Sequence, residues 1–452
     1  THKQLKAFHA RHYHPSNAFF YTYGNLPLQD SLSFIEKWVL SRFTRIDPNT
    51  DVPSQPRWPK PKNLTYYYPL DKKENPEKKY QGCVAWLLSD VKDIFGVLTF
   101  AVIEQILIGN AASPLRKALI NSRLGSSLSD GTGFDAENRD TMFSVGLKDI
   151  SKSDSNKVEK IIFDTLKTLV KNGIDPKLVE SAIHQIEFHK KEVTNTPYPY
   201  GIKLLISISA SCLHGGDPEQ ILELDEGLKR LRKELGQGHF LEDIIQRYFL
   251  DNPHRVLFTL APDQLQAEKE KKRVAAELAG LAAGMSKADL AKIRADALAL
   301  KKLQESKEDI SSLPTLEKED IPPAVSRIVP TEKTQQISIY EQPTSGIFYT
   351  SGAFGAGHVG HELLPLLPLF CYALTKVGTK KHDYAEIAQQ IDLYTGGIAF
   401  SANARTRFNG KHSCLPFVSF SGKCLKKNQE KMFGIIRELL TQVDFSDYAR
   451  LR

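Results

Sequence analysis

The chain has 452 residues, more than one hydrophobic core sustains, so at least two domains are expected. Its hydrophobic fraction of 41% and charged fraction of 25% are ordinary for a soluble globular protein. The formal net charge of +7 is spread along the chain, with Lys and Arg alternating with acids as on solvated helix faces. With no zinc-finger or RNA-recognition signature beside it, that pattern excludes a nucleic-acid-binding class.

The first residues, Thr1-His2-Lys3-Gln4, show neither an initiator Met nor a signal-peptide core, and they start inside a helical pattern, as an internal fragment would. That helix runs into the turn Tyr13-His14-Pro15-Ser16-Asn17, and a strand is expected over 18–23, closed by Gly24. The longest apolar run, 94–108, carries Thr99, Glu104 and Gln105 and is short for a membrane span, so it reads as a buried helix. Gly125-Ser126-Ser127-Leu128-Ser129 precedes a strand over 142–147 and a helix over 157–171, where Val158, Ile161, Ile162, Leu166, Leu169 and Val170 form one apolar stripe. Gly173 ends that helix, Asp175 caps the next and Pro176 suits its first turn.

The opening pattern returns about 240 residues later: a helix over 241–249, the turn Asp251-Asn252-Pro253, then a strand over 255–260. Residues 262–322 then become rich in Ala, Lys, Glu and Leu. A helix is expected from about Pro262 to Ala283, broken at Gly284, and Ser286-Lys287-Ala288-Asp289 is a capping box for a second. Leu290, Ile293, Ala297, Leu300 and Leu303 stand at coiled-coil-like spacing, and Pro314 and Pro322-Pro323 close the segment. An antiparallel helical hairpin joining two globular halves fits this; a solvated linker is the plainer alternative. A strand over 347–354 should pair back onto 337–340 through Gln342-Pro343-Thr344-Ser345-Gly346. Gly396-Gly397-Ile398-Ala399-Phe400-Ser401, a strand over 417–421 and a helix over 429–442 then repeat the 125–171 pattern. The implied fold class is α+β, with mixed, mainly antiparallel sheets covered by helices.

Four constellations invite a chemical reading. His184-Gln185-Ile186-Glu187-Phe188-His189 is one residue longer than the inverted zinc motif H-x-x-E-H, which puts its histidines about 140° apart on the helix where zinc needs about 40°. Ile183 and Ile186 continue the buried stripe there, so the charged residues are expected on the surface. In His358-Val359-Gly360-His361-Glu362 the acid follows the second histidine, and i, i+3 spacing serves a metal-bound water poorly. His9, His12 and His14 straddle a helix end with no acid to complete a zinc set. Gly355-Ala356-Gly357-His358-Val359-Gly360 is a full G-x-G-x-x-G and raises a rival function, dinucleotide binding. Pro365 and Pro368 follow where a phosphate-receiving helix would have to run cleanly, and they set that rival aside. No catalytic, cofactor-binding or metal-ligating residue is therefore assigned. The five cysteines, at 83, 212, 371, 414 and 424, are odd in number and form no C-x-x-C pair, so reduced, mostly buried thiols are expected.

Several ordered stretches carry a resemblance: Phe8-His9-Ala10-Arg11-His12-Tyr13-His14-Pro15-Ser16-Asn17-Ala18, Tyr23-Gly24-Asn25, Ser113-Pro114-Leu115-Arg116-Lys117-Ala118-Leu119-Ile120, Phe143-Ser144-Val145-Gly146-Leu147, His184-Gln185-Ile186-Glu187, Gly216-Asp217-Pro218, and Pro368-Leu369-Phe370-Cys371 with Thr395-Gly396-Gly397. Together they resemble the presequence-protease branch of the pitrilysin family of zinc metallopeptidases. That resemblance implies four homologous units in two halves that close on a chamber around a hinge. Residues 1–57 would end the first unit, 58–261 form the second, 262–322 the helical-hairpin hinge, and 323–452 the front of the third. It also implies ATP-independent degradation of unstructured peptides such as cleaved targeting presequences, in the mitochondrial matrix, by a protein that is a monomer when intact. Zinc would be held by an H-x-x-E-H and a distant Glu outside this stretch, leaving the stretch inactive alone. His358 to Glu362 falls where a third unit would repeat that motif in degenerate form. The alternative is a non-catalytic scaffold subunit of the same family.

Overall fold

Helix, strand and turn chemistry place the elements largely where the periodicity puts them. The structure, a computed structural model, describes residues 1–451 apart from 196, 312, 314, 325–326 and 407–413; the expected stop at Pro314 thus lies outside the described residues. In chain order come α1 (His2–His12), α2 (Leu28–Trp38), β1 (Lys62–Pro69), β2 (Tyr80–Asp90), α3 (Ile94–Ile108), α4 (Pro114–Asn121), β3 (Ser127–Leu128), β4 (Gly133–Asp135) and β5 (Asp140–Ile150). Then follow α5 (Ser155–Asn172), α6 (Pro176–Lys191), α7 (Tyr200–Leu213), α8 (Pro218–Leu222), α9 (Leu224–Leu235), α10 (Phe240–Ile245) and β6 (Arg255–Asp263). The last third holds α11 (Gln266–Ala283), α12 (Lys287–Glu305), β7 (Glu332–Lys333), β8 (Ser338–Ile339), β9 (Ile347–Gly355), α13 (Leu367–Ala373), α14 (Tyr384–Tyr394), β10 (Gly397–Thr406), β11 (Cys414–Leu425), α15 (Gln429–Gln442) and α16 (Tyr448–Leu451).

Two compact units result: Thr1–Tyr66 with Glu77–Ala261 and Thr344–Arg452, and Tyr67–Pro76 with Pro262–Pro343. The first unit contains two sheets. One has the order β1-β6-β2-β5-β3, with β4 also on β5; β2 runs antiparallel to both its neighbours. Along β2 the period of two turns Val84, Trp86 and Leu88 inward. They meet α3, whose residues are apolar all round because it is buried on several sides. Trp86 packs against Phe249, ring centres 5.3 Å apart, and donates its indole N–H to the Phe249 carbonyl at 2.9 Å. At Gly146 the strands approach so closely that a Cβ would collide with the Gly82 carbonyl oxygen. The other sheet, β10-β11-β9, is antiparallel throughout and lays one face on α15.

Local signals were reliable. Asp175 caps α6 by accepting from the Lys177 N–H at 2.9 Å, Gly173 follows α5 with φ +82°, and Ser286 and Asp289 form the capping box of α12. Four expectations need correction. Residues 18–23 pair with no strand among the described residues, and Phe19, Phe20 and Tyr23 stay exposed, because β propensity forms nothing without a neighbouring ladder. The helix expected over 241–249 is α10 prolonged by a π-helical turn, Gln246–Leu250. Pro262 and Asp263 belong to β6, and α11 starts only at Gln266, after the Asp263 carboxylate accepts from the Leu265 N–H. Finally, β9 pairs with β11 and not with 337–340: β8 pairs with β7, while Phe348 packs against the α15 core across Cys424.

In the second unit α11 and α12 bury no residue, and Leu290, Ile293, Leu300 and Leu303 lie exposed.

Phe249→Ala should therefore destabilise the first unit by about 3–5 kcal/mol in urea unfolding, since it empties a fully buried aromatic site. Leu303→Ala, at a residue 70% exposed, should stay within about 0.5 kcal/mol of the parent. Equal losses would refute this assignment of the core.

Candidate functional site

Helix α6 turns two faces to two different partners. Val179, Ala182 and Ile183 join the core of the β2–β5 sheet. His184, Gln185, Phe188 and Glu192 fall within an arc of about 100° on the other side, from the 3.6-residue period. There the helix and its C-cap residue meet the 347–425 segment.

The His184 Nδ1 lies 2.9 Å from the carbonyl oxygen of Asp392 at the end of α14. A carbonyl only accepts, so Nδ1 carries the proton, and Nε2 faces the Asn428 amide at 3.4 Å as acceptor. Gln185 donates to the same Asp392 carbonyl and, at 2.8 Å, to that of Thr395. The Asp392 carboxylate accepts from the Asn110 amide at 2.6 Å; burial raises its pKa, and that bond opposes the rise. Phe188 is buried with Ile347 and Leu425, and a Cβ on Gly396 would collide with its ring. Past the helix end, both Glu192 carboxylate oxygens accept from the Lys423 ammonium at 2.8 Å, and Oε1 accepts from the Tyr349 hydroxyl at 3.1 Å. Burial and the neighbouring Glu192 push the Tyr349 hydroxyl up to about 12.

The expectation that the charged residues of this motif are surface decoration is thus wrong for His184, which is buried together with Gln185. An apolar stripe read from one helix shows one buried face; it cannot show a second face covered by a segment some 200 residues away. His189 turns back onto its own helix, its Nδ1 2.7 Å from the Gln185 carbonyl. His358, His361 and Glu362 lie in the stretch after β9, and no helix opens on Gly355-Ala356-Gly357-His358-Val359-Gly360; a 3₁₀ turn at Leu364–Leu366 and then α13 follow. His14 accepts from the Ser16 N–H at 3.1 Å and caps a turn, while His9 stacks on Tyr13 and His12 packs against Phe8. Among the described residues no group of three His, Cys, Asp or Glu could hold a metal ion, so none of them forms a set that zinc would fit. The cysteines are free; burial pushes the Cys83 and Cys424 thiols up to about 11, far from reactive thiolates.

The face of the β10-β11-β9 sheet opposite α15 carries a shallow concavity of about 410 Å³ lined by Ser351, Ala353, Ala399, Ser401, Ser419 and Ser421. Small hydroxylic residues alternate there with the apolar residues of the other face. That period of two on β11, Ser419 and Ser421 alternating with Val418 and Phe420, was available in the sequence. The Glu192–Lys423 pair left no such signal.

His254 is a second buried imidazole. Its Nδ1 accepts from the Trp58 N–H at 3.0 Å, its ring stacks on Trp58 at 4.1 Å, and burial, then the Arg57 charge, lower its pKa. Burial lowers that of His184 as well. Unfolding releases both to take up protons at about 6.5, so their contribution is complete above that pH and is lost as pH falls below it. The urea midpoint should drop between about pH 7.5 and about pH 5.5, and His254→Gln should reduce the drop. An undiminished drop in the variant would remove His254 from the account.

Known proteins match this chain along its whole length. The profile described as Peptidase M16 inactive domain matches residues 1–186, and that of the region associated with subfamily C of peptidase family M16 matches residues 260–452. The mitochondrial presequence protease of Xenopus laevis is 34% identical over 457 aligned residues, which cover 100% of this chain and 44% of that protein. Its Mus musculus counterpart is 32% identical over 99% of this chain and 43% of its own length. Presequence protease 1, chloroplastic/mitochondrial, of Arabidopsis thaliana is 31% identical over 100% and 43%. The crystal structure of pitrilysin aligns over 98% of this chain and 44% of its own at 16% identity, with a TM-score of 0.48, too slight a likeness to carry weight. The chain spans less than half the length of the curated relatives it matches. It belongs to the M16, or pitrilysin, family of peptidases, in the stretch covering the inactive domain and the region associated with subfamily C.

Proposed function

We propose that the longer protein to which this stretch corresponds is an ATP-independent zinc metalloendopeptidase that degrades unstructured peptides, such as cleaved targeting presequences, in the mitochondrial matrix. One observation carries the reading: identity of 32–34% to vertebrate presequence proteases extends over essentially the whole chain and is not confined to one motif. The relatives' names supply the substrate class and the organelle. Residues 1–57 would close a first pitrilysin-type unit, 58–261 form the second, 262–322 the hinge and 323–452 the front of the third. The zinc ligands would come from residues outside this stretch, and the intact protein would act as a monomer. The serine-lined sheet face suits this role, because small hydroxylic side chains leave room for an extended chain and can hydrogen-bond its backbone. The exposed Phe19, Phe20 and Tyr23 fit as well, since 18–23 would complete a ladder with strands of the first pitrilysin-type unit that lie outside this stretch.

The intact gene product should cleave an unstructured presequence peptide, lose that activity to a zinc chelator and regain it with added zinc, while sparing a stable folded domain. Residues 1–452 alone should cleave nothing and hold no stoichiometric zinc by metal analysis. An intact protein that neither binds zinc nor cleaves the peptide would make it a scaffold. Stoichiometric zinc in the stretch, lost with His184→Ala and His189→Ala, would overturn the placement of the ligands.

A further inference from the structure

Residues 46–58 form a strap without helix or strand, attached at both ends. At its start the Ile46 N–H donates to the Ser16 hydroxyl at 3.0 Å, and the Pro48 carbonyl accepts from the Arg11 guanidinium at 2.9 Å. The Thr50 hydroxyl donates to the Asn17 side-chain carbonyl at 2.8 Å. At its end the strap crosses one end of the larger sheet, where β6, β2 and β5 lie side by side. The Arg57 guanidinium donates to the Leu88 carbonyl at 2.7 Å and to the Asp140 carboxylate at 2.9 Å, and that carboxylate also accepts from the Gln55 N–H at 2.7 Å. The third attachment is the bond from the Trp58 N–H to His254 Nδ1. It differs in kind from the other two. A carbonyl and an ionised carboxylate accept throughout the neutral range, whereas a ring nitrogen accepts only while it is unprotonated.

We propose that His254 is a pH-sensitive pin for this strap: a proton taken up at Nδ1 ends the bond to Trp58 and frees residues 55–58 from the sheet end, while the sheet stays paired. The main chain of His254 keeps its place without the strap, because its carbonyl accepts from the Leu87 N–H at 3.1 Å and its N–H donates to the Asn252 side chain at 2.9 Å. The charged groups that face the ring are Arg57 on the strap, Lys62 at the start of β1 and Asp140 at the start of β5. On the remaining sides β2 and the turn before β6 meet it with the uncharged Leu87 and Asn252. Asp140 is already shared by Arg57 and Gln55, so a charged imidazole would add a third cation where one acid stands. Burial, then the Arg57 charge, lower the pKa of His254 in the strapped state. The strap is therefore held most firmly above the ordinary imidazole value of about 6.5 and loosens as pH falls below it, since opening then takes up a proton. Release uncovers two groups that the strap keeps from water, the Asp140 carboxylate, 6% exposed, and His254, 5% exposed. The proposal concerns contacts within this chain and stands apart from the peptidase reading.

The test is amide hydrogen exchange of the 452-residue chain, read by mass spectrometry on peptides covering 52–60 and 82–88 and corrected for the pH dependence of intrinsic exchange. Protection of the Gln55 and Trp58 amides should fall about tenfold between about pH 7.5 and about pH 5.5, the change set by one proton taken up on opening. The ladder amides of β2 should stay unexchanged over the same times at both pH values. His254→Gln puts an amide oxygen there that accepts at every pH, so the strap of this variant should stay protected at both. Equal protection of 52–60 at the two pH values in the parent would mean that no proton releases the strap. An equal fall in His254→Gln would place the titrating group elsewhere. Strap amides that exchange only together with those of β2 would mean that strap and sheet unfold as one. Each of these three results overturns the proposal, and the first and third are read on the parent chain alone.

Discussion

Helix α6 has to bury two faces at once, and much of the arrangement of the first unit follows from that. Its Val179–Ile183 side is one wall of the β2–β5 core. Its His184–Glu192 side receives the end of α14 and the edge of the β9–β11 pair. A purely apolar second face would fuse the two bodies, since each buried large side chain is worth about 1.5–3 kcal/mol. Here that face has one aromatic residue, Phe188, among side chains that hydrogen-bond, and two of its acceptors are main-chain carbonyls of the 392–395 turn. Specific position is obtained with little apolar area. Gly396 allows the close approach, and Thr395, fully buried, shapes the turn by accepting from the Gly397 N–H at 3.1 Å.

What could be read from the sequence was whatever is decided locally. The stripe of α5, the Gly173 stop, the Asp175 cap, the Ser286 capping box and the extent of α15 depend on residues within a few positions of one another, and each was found where its chemistry placed it. Strand partners were less legible. Residues 347–354 were recognisable as a strand, but 337–340 lay nearest in the chain, whereas the true partner is β11, which offers an apolar face over α15. The polar face of α6 was illegible for the same reason carried further: His184 and Asp392 are 208 residues apart. A histidine near a glutamate on a helix invites a metal reading, and the structure gives it a carbonyl and an amide instead.

The family profile that matches residues 1–186 is described as an inactive domain. Family membership rests on identity along the whole chain; activity is an inference about a longer protein. Within the stretch the features that bear on such an activity are mechanical. A serine-lined sheet face offers a shallow polar bed, and a small polar junction sets two cored bodies side by side.

The central physical claim is that the first compact unit holds two separate cores that meet across one face of α6. Differential scanning calorimetry of the 452-residue chain addresses it most directly. Two cores so joined should unfold with a calorimetric enthalpy larger than the van't Hoff enthalpy, or as two resolved transitions. One sharp two-state transition with equal enthalpies would contradict the account and make the α6 junction part of a single core.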